Sequence, residues 1–118
     1  MIIVVEGTKS FNDYEVFMRA MGVALSTKTE DSEIQVWSAG PHVINSYTAA
    51  FCNSSENFLK QKGYKITFSK APSYWITQNL SFVNYFAFFS LPKEPVSKLV
   101  KQAQLVEGCE IGIFRYWS

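Results

Sequence analysis

Cysteine and histidine are scarce in this sequence, and their scarcity limits the chemistry it can support. Cys52 and Cys109 are the two cysteines, and His42 is the one histidine. Their positions match neither a disulfide framework nor the spacing of a Cys/His metal site. Because both cysteines lie among apolar residues, we expect buried free thiols in a reducing compartment and predict a cytoplasmic protein. No metal ion or cofactor is expected.

Charge is scarce as well. Charged residues make up 18% of the chain, and eleven basic against ten acidic side chains leave a net charge of +1. Such a balance does not produce the positive field that attracts nucleic acid, so nucleic acid is not expected as a partner. The N-terminal run Met1–Val5 is apolar but ends at Glu6 and has no basic leader. We therefore predict neither a signal peptide nor a membrane span.

Apolar and aromatic residues, in contrast, are abundant. Hydrophobic residues form 47% of the chain and aromatic residues 16%. A chain of 118 residues suits one domain, and a domain of this size buries roughly two thirds of its unfolded surface. We predict a single globular domain over residues 1–118, with its many rings in the core, in a pocket or in an interface.

Apolar patterns predict the order of strands and helices. Five apolar runs predict strands at residues 2–5, 34–37, 64–68, 82–89 and 109–117. Apolar residues at helical spacing predict helices from Tyr14 to Leu25, between Ile44 and Gly63, and from Val96 to Val106. Ser10 or Asp13 is the expected N-cap of the first helix, and Gly63 and Gly108 are expected to close the other two. Residues 26–32 and 69–81 are expected to be loops, the second because Pro72 and its Ser-rich flanks weaken any helical pattern.

This order of elements predicts an α/β fold, namely a Rossmann-like three-layer domain. Helices that connect buried strands favour parallel pairing with right-handed crossovers. The simplest arrangement is a mostly parallel five-stranded sheet in the order 3-2-1-4-5. An α+β fold remains open, because the segment 69–81 lacks a helix where a crossover would need one.

In an open α/β sheet, ligands bind beyond the carboxyl ends of the strands where the strand order reverses. Here that crevice lies between strands one and four. Gly7 allows a tight turn, Thr8 and Ser10 offer hydroxyls, and Lys9 adds a positive charge suited to a phosphate or carboxylate. The alternative is a plain turn that caps the helix, since neither G-x-G-x-x-G nor a Walker motif is present.

The segment Val4-Val-Glu-Gly-Thr-Lys-Ser-Phe-Asn-Asp-Tyr14 and the helix after it resemble the opening of SLOG-superfamily proteins, the small Rossmannoid proteins of bacteria and phages related to YspA and YpsA. Residues Val83–Phe89, the helix from Val96 and the last strand to Tyr116 also look like the last βαβ unit of that family. The resemblance implies a pocket for nucleotides or nucleotide-derived ligands. It also implies a bacterial or phage origin, and hence the host cytoplasm if the chain is phage-encoded.

Two departures from the family pattern reduce the expected chemistry. The second glycine-rich segment of the family, Gly-Gly-Ala-Arg-Gly-x-Asp, is represented only by Gly40 within Ser38-Ala-Gly-Pro-His-Val-Ile-Asn45. Lys9 replaces the loop arginine of the family, which keeps the charge but loses the bidentate fork. The Pro-Gly-Gly-x-Gly-Thr motif of phosphoribohydrolase relatives is also missing. We expect a partly eroded binding site and no catalytic residues.

Individual candidates each carry a plainer alternative. His42 faces the expected ligand side but can simply be a polar residue at a helix start. Glu6 ends a buried strand, where it can contact a ligand hydroxyl, act as a base or bond neighbouring backbone N–H groups. The residues predicted to bind a ligand are Glu6, Gly7, Thr8, Lys9, Ser10, Phe11, Gly40, His42, Ser90 and Lys93.

Aromatic residues suggest a second surface. Most rings of strand four must lie in the core, whereas Tyr74 and Trp75 are expected to be partly exposed and to contact a partner. The apolar strand that ends the chain is expected at the edge of the sheet, where it could pair in a homodimer.

Three functions follow from the residues together with the resemblance. The first is a binding module for a nucleotide-like small molecule. The second is a phage or bacterial interaction protein that binds a host protein without catalysis. The third is a hydrolase of a nucleotide bond that uses Glu6 or His42, for which no nucleophile–base pair is visible.

Overall fold

Five parallel strands form the centre of the protein in a computed structural model that describes residues 1–26 and 32–116. The strands are β1 (Ile2–Gly7), β2 (Glu33–Ser38), β3 (Lys65–Lys70), β4 (Tyr85–Ser90) and β5 (Glu110–Arg115). The helices in those ranges are α1 (Tyr14–Ser26), α2 (His42–Gln61), α3 (Ser73–Gln78) and α4 (Lys98–Ala103), with a 3₁₀ turn at Leu80–Phe82. The sheet order is β3-β2-β1-β4-β5, which confirms the predicted Rossmann-like α/β fold.

Helices cover both faces of the sheet. The residues of α1 and α2 pack with Ile3 and Val5 on one face, and those of α3 and α4 pack with Val4 on the other. Successive strand residues point to opposite faces, and here both faces are apolar. This arrangement explains why the sequence of β1 is a continuous apolar run rather than an alternating one.

Short polar signals set the ends of the longer helices. Asp13, not Ser10, caps α1, since its Oδ1 accepts a hydrogen bond from the Val16 N–H at 3.1 Å. Helix α2 ends at Gln61, just before Gly63, whose φ of +85° is the left-handed conformation that glycine adopts at little cost. Both positions were among those expected from the sequence.

The segment 69–81 is not the loop expected from its sequence. It contains α3 and most of the 3₁₀ turn, and these complete the crossover from β3 to β4. Ile76 and Leu80, four residues apart, are buried in the core beneath this segment. Pro72 directly precedes α3, where a missing N–H is no loss, so it marks the start of a helix rather than a loop. The α+β alternative is therefore wrong.

Other element boundaries also differ from expectation. Strand β4 begins at Tyr85 rather than Phe82, because Phe82 belongs to the 3₁₀ turn and its side chain is 64% exposed. Helix α4 is shorter than the predicted span from Val96 to Val106. Residues 27–31 of the predicted loop 26–32, and Trp117 of the predicted last strand, lie outside the described residues.

Strands β3 and β5 form the two edges of the sheet, as expected for the last strand. Pairing of two copies along β5 stays a prediction. Within the described ranges, no helix combines the length and the apolar character needed to cross a membrane.

Candidate functional site

The carboxyl ends of β1 and β4 lie side by side, as the strand order requires. Gly7 pairs with Phe89, and the Thr8 N–H donates a hydrogen bond to the Phe89 carbonyl oxygen at 2.9 Å. The Gly7 N–H donates to the carbonyl oxygen of Gly40 at 3.1 Å, which joins the loop after β1 to the loop after β2. Sequence reasoning therefore placed these loops correctly at one edge of the sheet.

Gly7 is required by packing. A Cβ atom at this position would lie 2.8 Å from Cδ1 of Ile44 and 2.9 Å from the carbonyl oxygen of Phe89. The glycine thus lets α2 approach β1 closely. A ligand is therefore not needed to explain the residue.

A segment that we term the strap, residues 91–97, connects β4 to α4 across the ends of the strands. Glu94 holds it in place. The Oε1 atom of Glu94 accepts hydrogen bonds from the Thr8 hydroxyl and from the Leu91 N–H, each at 2.7 Å. The Arg115 guanidinium also donates to the Glu94 carbonyl oxygen. The carboxylate of Glu94 therefore occupies the loop in which the sequence predicted an external anion.

These donors keep Glu94 charged. The Thr8 hydroxyl and the Leu91 N–H hold the pKa of the Glu94 carboxyl below its ordinary value, and Ser10 and Arg115 contribute in the same direction. Hydrogen bonds to the charged form of an acid stabilise that form. Glu94 is accordingly an ionised group at neutral pH.

Glu6 has a different environment, on the α3/α4 face of the sheet. Burial raises the pKa of the Glu6 carboxyl, and a hydrogen bond from the Ser97 hydroxyl partly opposes this effect. Ser97 also caps α4 by accepting a hydrogen bond from the Val100 N–H at 3.1 Å. Ser97 thus fixes the direction of Glu6, whose Oε2 atom has no hydrogen-bond partner among the described residues.

Beside Glu6 lies a groove of about 620 Å³ between α3 and α4, which we term the Glu6 groove. The sheet contributes Glu6, and the two helices with the residue that caps α4 contribute mostly polar residues, whose carbon atoms nevertheless form most of the wall. The other lining residues are Ser73, Tyr74, Thr77, Gln78, Ser97, Lys98, Leu99 and Gln102. The Thr77 hydroxyl lies 3.0 Å from Oε1 of Gln102, so the helices also contact each other across the groove.

Several predicted site residues do not line this groove. Phe11 is fully buried on the α1/α2 side, where the centroid of its ring lies 5.2 Å from that of the Phe89 ring. His42 is exposed at the first position of α2. Lys9 and Lys93 are exposed, and Lys93 has a left-handed φ of +72°. Of these four residues, only Phe11 is buried on the face of the sheet opposite Glu6.

Ser90 is placed differently. Phe88 packs in the α3/α4 core and Phe89 in the α1/α2 core, so alternation directs Ser90 to the α3/α4 face. Ser90 is fully buried, and its hydroxyl has no hydrogen-bond partner among the residues described. A buried hydroxyl without a partner is uncommon, since its desolvation is not compensated.

The exposed aromatic residues lie on α3, as helix residues rather than the loop residues expected. The side chain of Tyr74 is 70% exposed and that of Trp75 is 39% exposed, which confirms the predicted exposure. The Trp75 ring packs edge to face against the Trp37 ring, with 4.6 Å between the ring centroids. The two tryptophans and Tyr74 line a second groove of about 380 Å³ together with Lys70.

Apart from Tyr74, which was expected to contact a partner, sequence reasoning missed the groove residues of α3 and α4 because it placed no helix at 73–78 and began the last helix at Val96. Ser97 carried a usable signal, since serine before an apolar helical stretch is a common N-cap. Glu94 carried none.

Within the described ranges, no three or more His, Cys, Asp or Glu side chains form a group that could hold a metal ion. Comparisons of the chain with protein-family models, with curated proteins and with solved structures give no match. The resemblance to the SLOG superfamily therefore stays a prediction that rests on the residues alone.

Proposed function

We propose that this protein is a binding module for a small polar ligand of nucleotide type, which it holds in the Glu6 groove. One observation carries the proposal: a groove of about 620 Å³ opens at the carboxyl end of β1, with a carboxylate oxygen of Glu6 free of protein partners in the described chain. Ligand sites in open α/β sheets lie at this position, and a volume of this order suits a nucleoside-sized molecule.

The lining side chains define the chemistry of the ligand. The Glu6 carboxylate can accept hydrogen bonds from vicinal hydroxyls such as those of a ribose. The hydroxyl of Ser73 and the amide of Gln102 can donate and accept, as the edge of a base requires. Tyr74 offers an exposed ring against which a flat base can stack. A nucleoside portion fits these groups better than a purely apolar molecule does.

The site favours binding over catalysis. Ser97 donates to Glu6, but the same hydroxyl accepts a hydrogen bond from the backbone of α4, so Ser97 acts as a helix cap. His42, the one histidine, does not line the groove. A hydrolase would need a positioned nucleophile or an activated water, and among the described residues that line the groove Glu6 is the one carboxylate that could act as a base.

Thermal unfolding with a ligand panel tests the proposal. The panel contains nucleosides, nucleotides, cyclic nucleotides and ADP-ribose-type compounds. A ligand at 100 times its Kd stabilises the fold by about 2.7 kcal/mol. We expect Gln102→Ala to lose most of this stabilisation, while Gln104→Ala, the same change outside the groove, keeps it. If no compound stabilises the protein, or if both variants respond equally, the Glu6 groove is not the site.

A second candidate function rests on the aromatic groove. Trp75 and Tyr74 expose aromatic rings at this groove, and tyrosine and tryptophan are enriched at surfaces that bind other proteins. In this alternative, the protein binds a host protein without catalysis. A partner found by pull-down should be lost with Trp75→Ala and kept with Phe82→Ala, which removes an exposed ring elsewhere. It should also be kept with Gln102→Ala, and loss with that variant would return the interaction to the Glu6 groove.

A further inference from the structure

A row of hydrogen-bond donors lies beneath the strap, at the ends of three neighbouring strands. Thr8 follows β1, Ser90 ends β4, and Arg115 ends β5 and pairs with Ser90. Because Gly7 pairs with Phe89, the next residues, Thr8 and Ser90, are also neighbours. Two hydroxyls and a guanidinium in one row are groups that bind oxyanions.

The donors in this row are used unequally. The Thr8 hydroxyl and the Leu91 N–H both donate to one oxygen of Glu94, and Arg115 donates to the Glu94 carbonyl oxygen. The Ser90 hydroxyl, fully buried at the centre of the row, donates to no group in the described part of the chain. A carboxylate presents two oxygens in one plane, whereas a tetrahedral oxyanion presents oxygens in several directions. The row therefore has more donor capacity than the Glu94 carboxylate uses.

We propose that the row formed by Thr8, Ser90 and Arg115 is a binding site for a tetrahedral oxyanion of the phosphate class, which the protein keeps filled with its own Glu94 carboxylate. A phosphate group competes with Glu94 for the Thr8 hydroxyl and the Leu91 N–H, and it also gives the Ser90 hydroxyl a partner. The idea of a phosphate-bearing ligand rests on the proposed function, but the site itself can be tested with inorganic phosphate alone.

The backbone of the strap is consistent with a displaceable carboxylate. Lys93, next to Glu94, has a φ of +72°, which a residue with a Cβ atom adopts at a cost of about 1 kcal/mol. Lys9, in the loop after β1, and Lys93, in the strap, are both exposed. Release of Glu94 from Thr8 would leave the positive charges of these lysines and of Arg115 without that carboxylate, which favours an incoming anion.

Phosphate titration at constant ionic strength tests this proposal, with binding followed by calorimetry and by phosphorus NMR. We expect Glu94→Ala to bind inorganic phosphate at least tenfold more tightly than the unmodified protein, because the internal competitor is gone. Glu107→Ala removes an exposed carboxylate beyond α4 and serves as the matched control. Its phosphate affinity should not differ from that of the unmodified protein by more than about twofold, which is the screened effect of one distant charge.

Ser90 gives the sharper test. Within the Glu94→Ala protein, Ser90→Ala should weaken phosphate binding about tenfold, the usual effect of losing one hydrogen bond to a charged group. In the unmodified protein, the same substitution should not lower the unfolding temperature, because the hydroxyl bonds to nothing that would be lost. A residue with a purely structural role would show the opposite split.

Two results would overturn the proposal. One is equal phosphate affinity of the unmodified protein, Glu94→Ala and Glu107→Ala, which would make Glu94 a structural clamp only. The other is tighter binding that persists when Thr8→Val is added to Glu94→Ala, which would place phosphate elsewhere. If Glu94→Ala does not fold, Glu94→Gln keeps the side-chain length and should still bind phosphate more tightly. These titrations contain no nucleoside, so their failure is distinct from failure of the ligand panel at the Glu6 groove.

Discussion

Replacing Gly7 with alanine is expected to destabilise the protein strongly, for a reason visible at one atom. The new Cβ would lie 2.8 Å from Cδ1 of Ile44 and 2.9 Å from the carbonyl oxygen of Phe89. Ile44 is fully buried, so its side chain has little room to move. The Phe89 oxygen belongs to the backbone of the neighbouring central strand and already accepts a hydrogen bond from the Thr8 N–H. Relief therefore requires a shift of β1 relative to β4 or of α2.

The expected loss is about 2 kcal/mol, within the usual range for forcing an extra carbon into a packed core. In a domain of this size, roughly 4 °C of unfolding temperature corresponds to 1 kcal/mol, so we expect a fall of about 8 °C. Gly22→Ala is the matched control. A Cβ at Gly22 meets no atom within 4 Å, and Gly22 is exposed on α1. Alanine is the better helix former by about 1 kcal/mol, so this variant should unfold about 4 °C higher.

Urea unfolding followed by tryptophan fluorescence measures both changes. The urea dependence of the unfolding free energy should be the same for the two variants and the unmodified protein, so that the midpoints report stability alone. A Gly7→Ala protein within 0.5 kcal/mol of the unmodified protein, a margin typical of surface changes, would refute the packing argument. It would also favour the alternative explanation, in which Gly7 is required by a ligand that approaches its backbone.

Three further changes act on the strap and on the groove. Lys93→Gly should raise the unfolding free energy by about 0.5 kcal/mol, because the strain of about 1–2 kcal/mol relieved at the φ of +72° exceeds the roughly 0.5–1 kcal/mol that the freedom of glycine in the unfolded chain costs; a loss of stability in urea would contradict this. Glu94 has a lowered pKa, so its contribution is complete above the ordinary value of 4.5 and is lost as the pH falls through the lower value of the folded state. Glu94→Gln should therefore be less stable at pH 7, with a difference that shrinks in acid. Glu6 has a raised pKa, so its ionisation weakens the fold as the pH rises above 4.5. Glu6→Gln should be more stable than the unmodified protein at pH 7 and should lose this advantage near pH 4. For either glutamate, a stability difference between the Gln variant and the unmodified protein that stays constant from pH 3 to 8 would contradict the prediction.

The fold could be read from the sequence because its main signals are local. The apolar run in β1, the helical spacing from Tyr14 to Leu25 and the alternation of elements were enough to predict the strand order. Helix α3 was missed because six residues give little more than one and a half turns, and Ile76 is its only buried residue, with Leu80 following in the 3₁₀ turn. A pattern that short cannot be told from a loop by periodicity.

The site could be predicted only in outline, because its contacts are not local. The hydrogen bond from Thr8 to Glu94 joins residues 86 positions apart, and that from Ser97 to Glu6 joins residues 91 positions apart. The strand order brings the loop after β1 and the strap together, but no sequence pattern specifies which carboxylate accepts a hydrogen bond from which hydroxyl. The loop after β1 therefore lies beside the end of β4 as predicted, while its hydrogen bond to the Glu94 carboxylate was not expected.

Glu6 and Glu94 have the same side chain, yet their pKa values are shifted in opposite directions. This contrast allows the nucleoside part and the phosphate part of the proposed ligand to be tested separately. Burial dominates at Glu6 and raises its pKa, whereas donated hydrogen bonds dominate at Glu94 and lower its pKa. Glu6 is suited to the neutral hydroxyls of the proposed ligand, and Glu94 lies where we propose that an anionic group binds. A nucleoside would therefore bind in the Glu6 groove without displacing Glu94, while a nucleotide would have to displace it.

Glu94→Ala should accordingly tighten the binding of a nucleotide at least tenfold and leave the binding of the matching nucleoside within about twofold, because only the nucleotide competes with the internal carboxylate. Gln102→Ala, in contrast, should weaken both by the same factor, because both share the groove. Calorimetric titration of the four combinations measures the two effects separately. Equal tightening of nucleoside and nucleotide by Glu94→Ala would mean that the strap blocks the groove sterically rather than standing in for a phosphate.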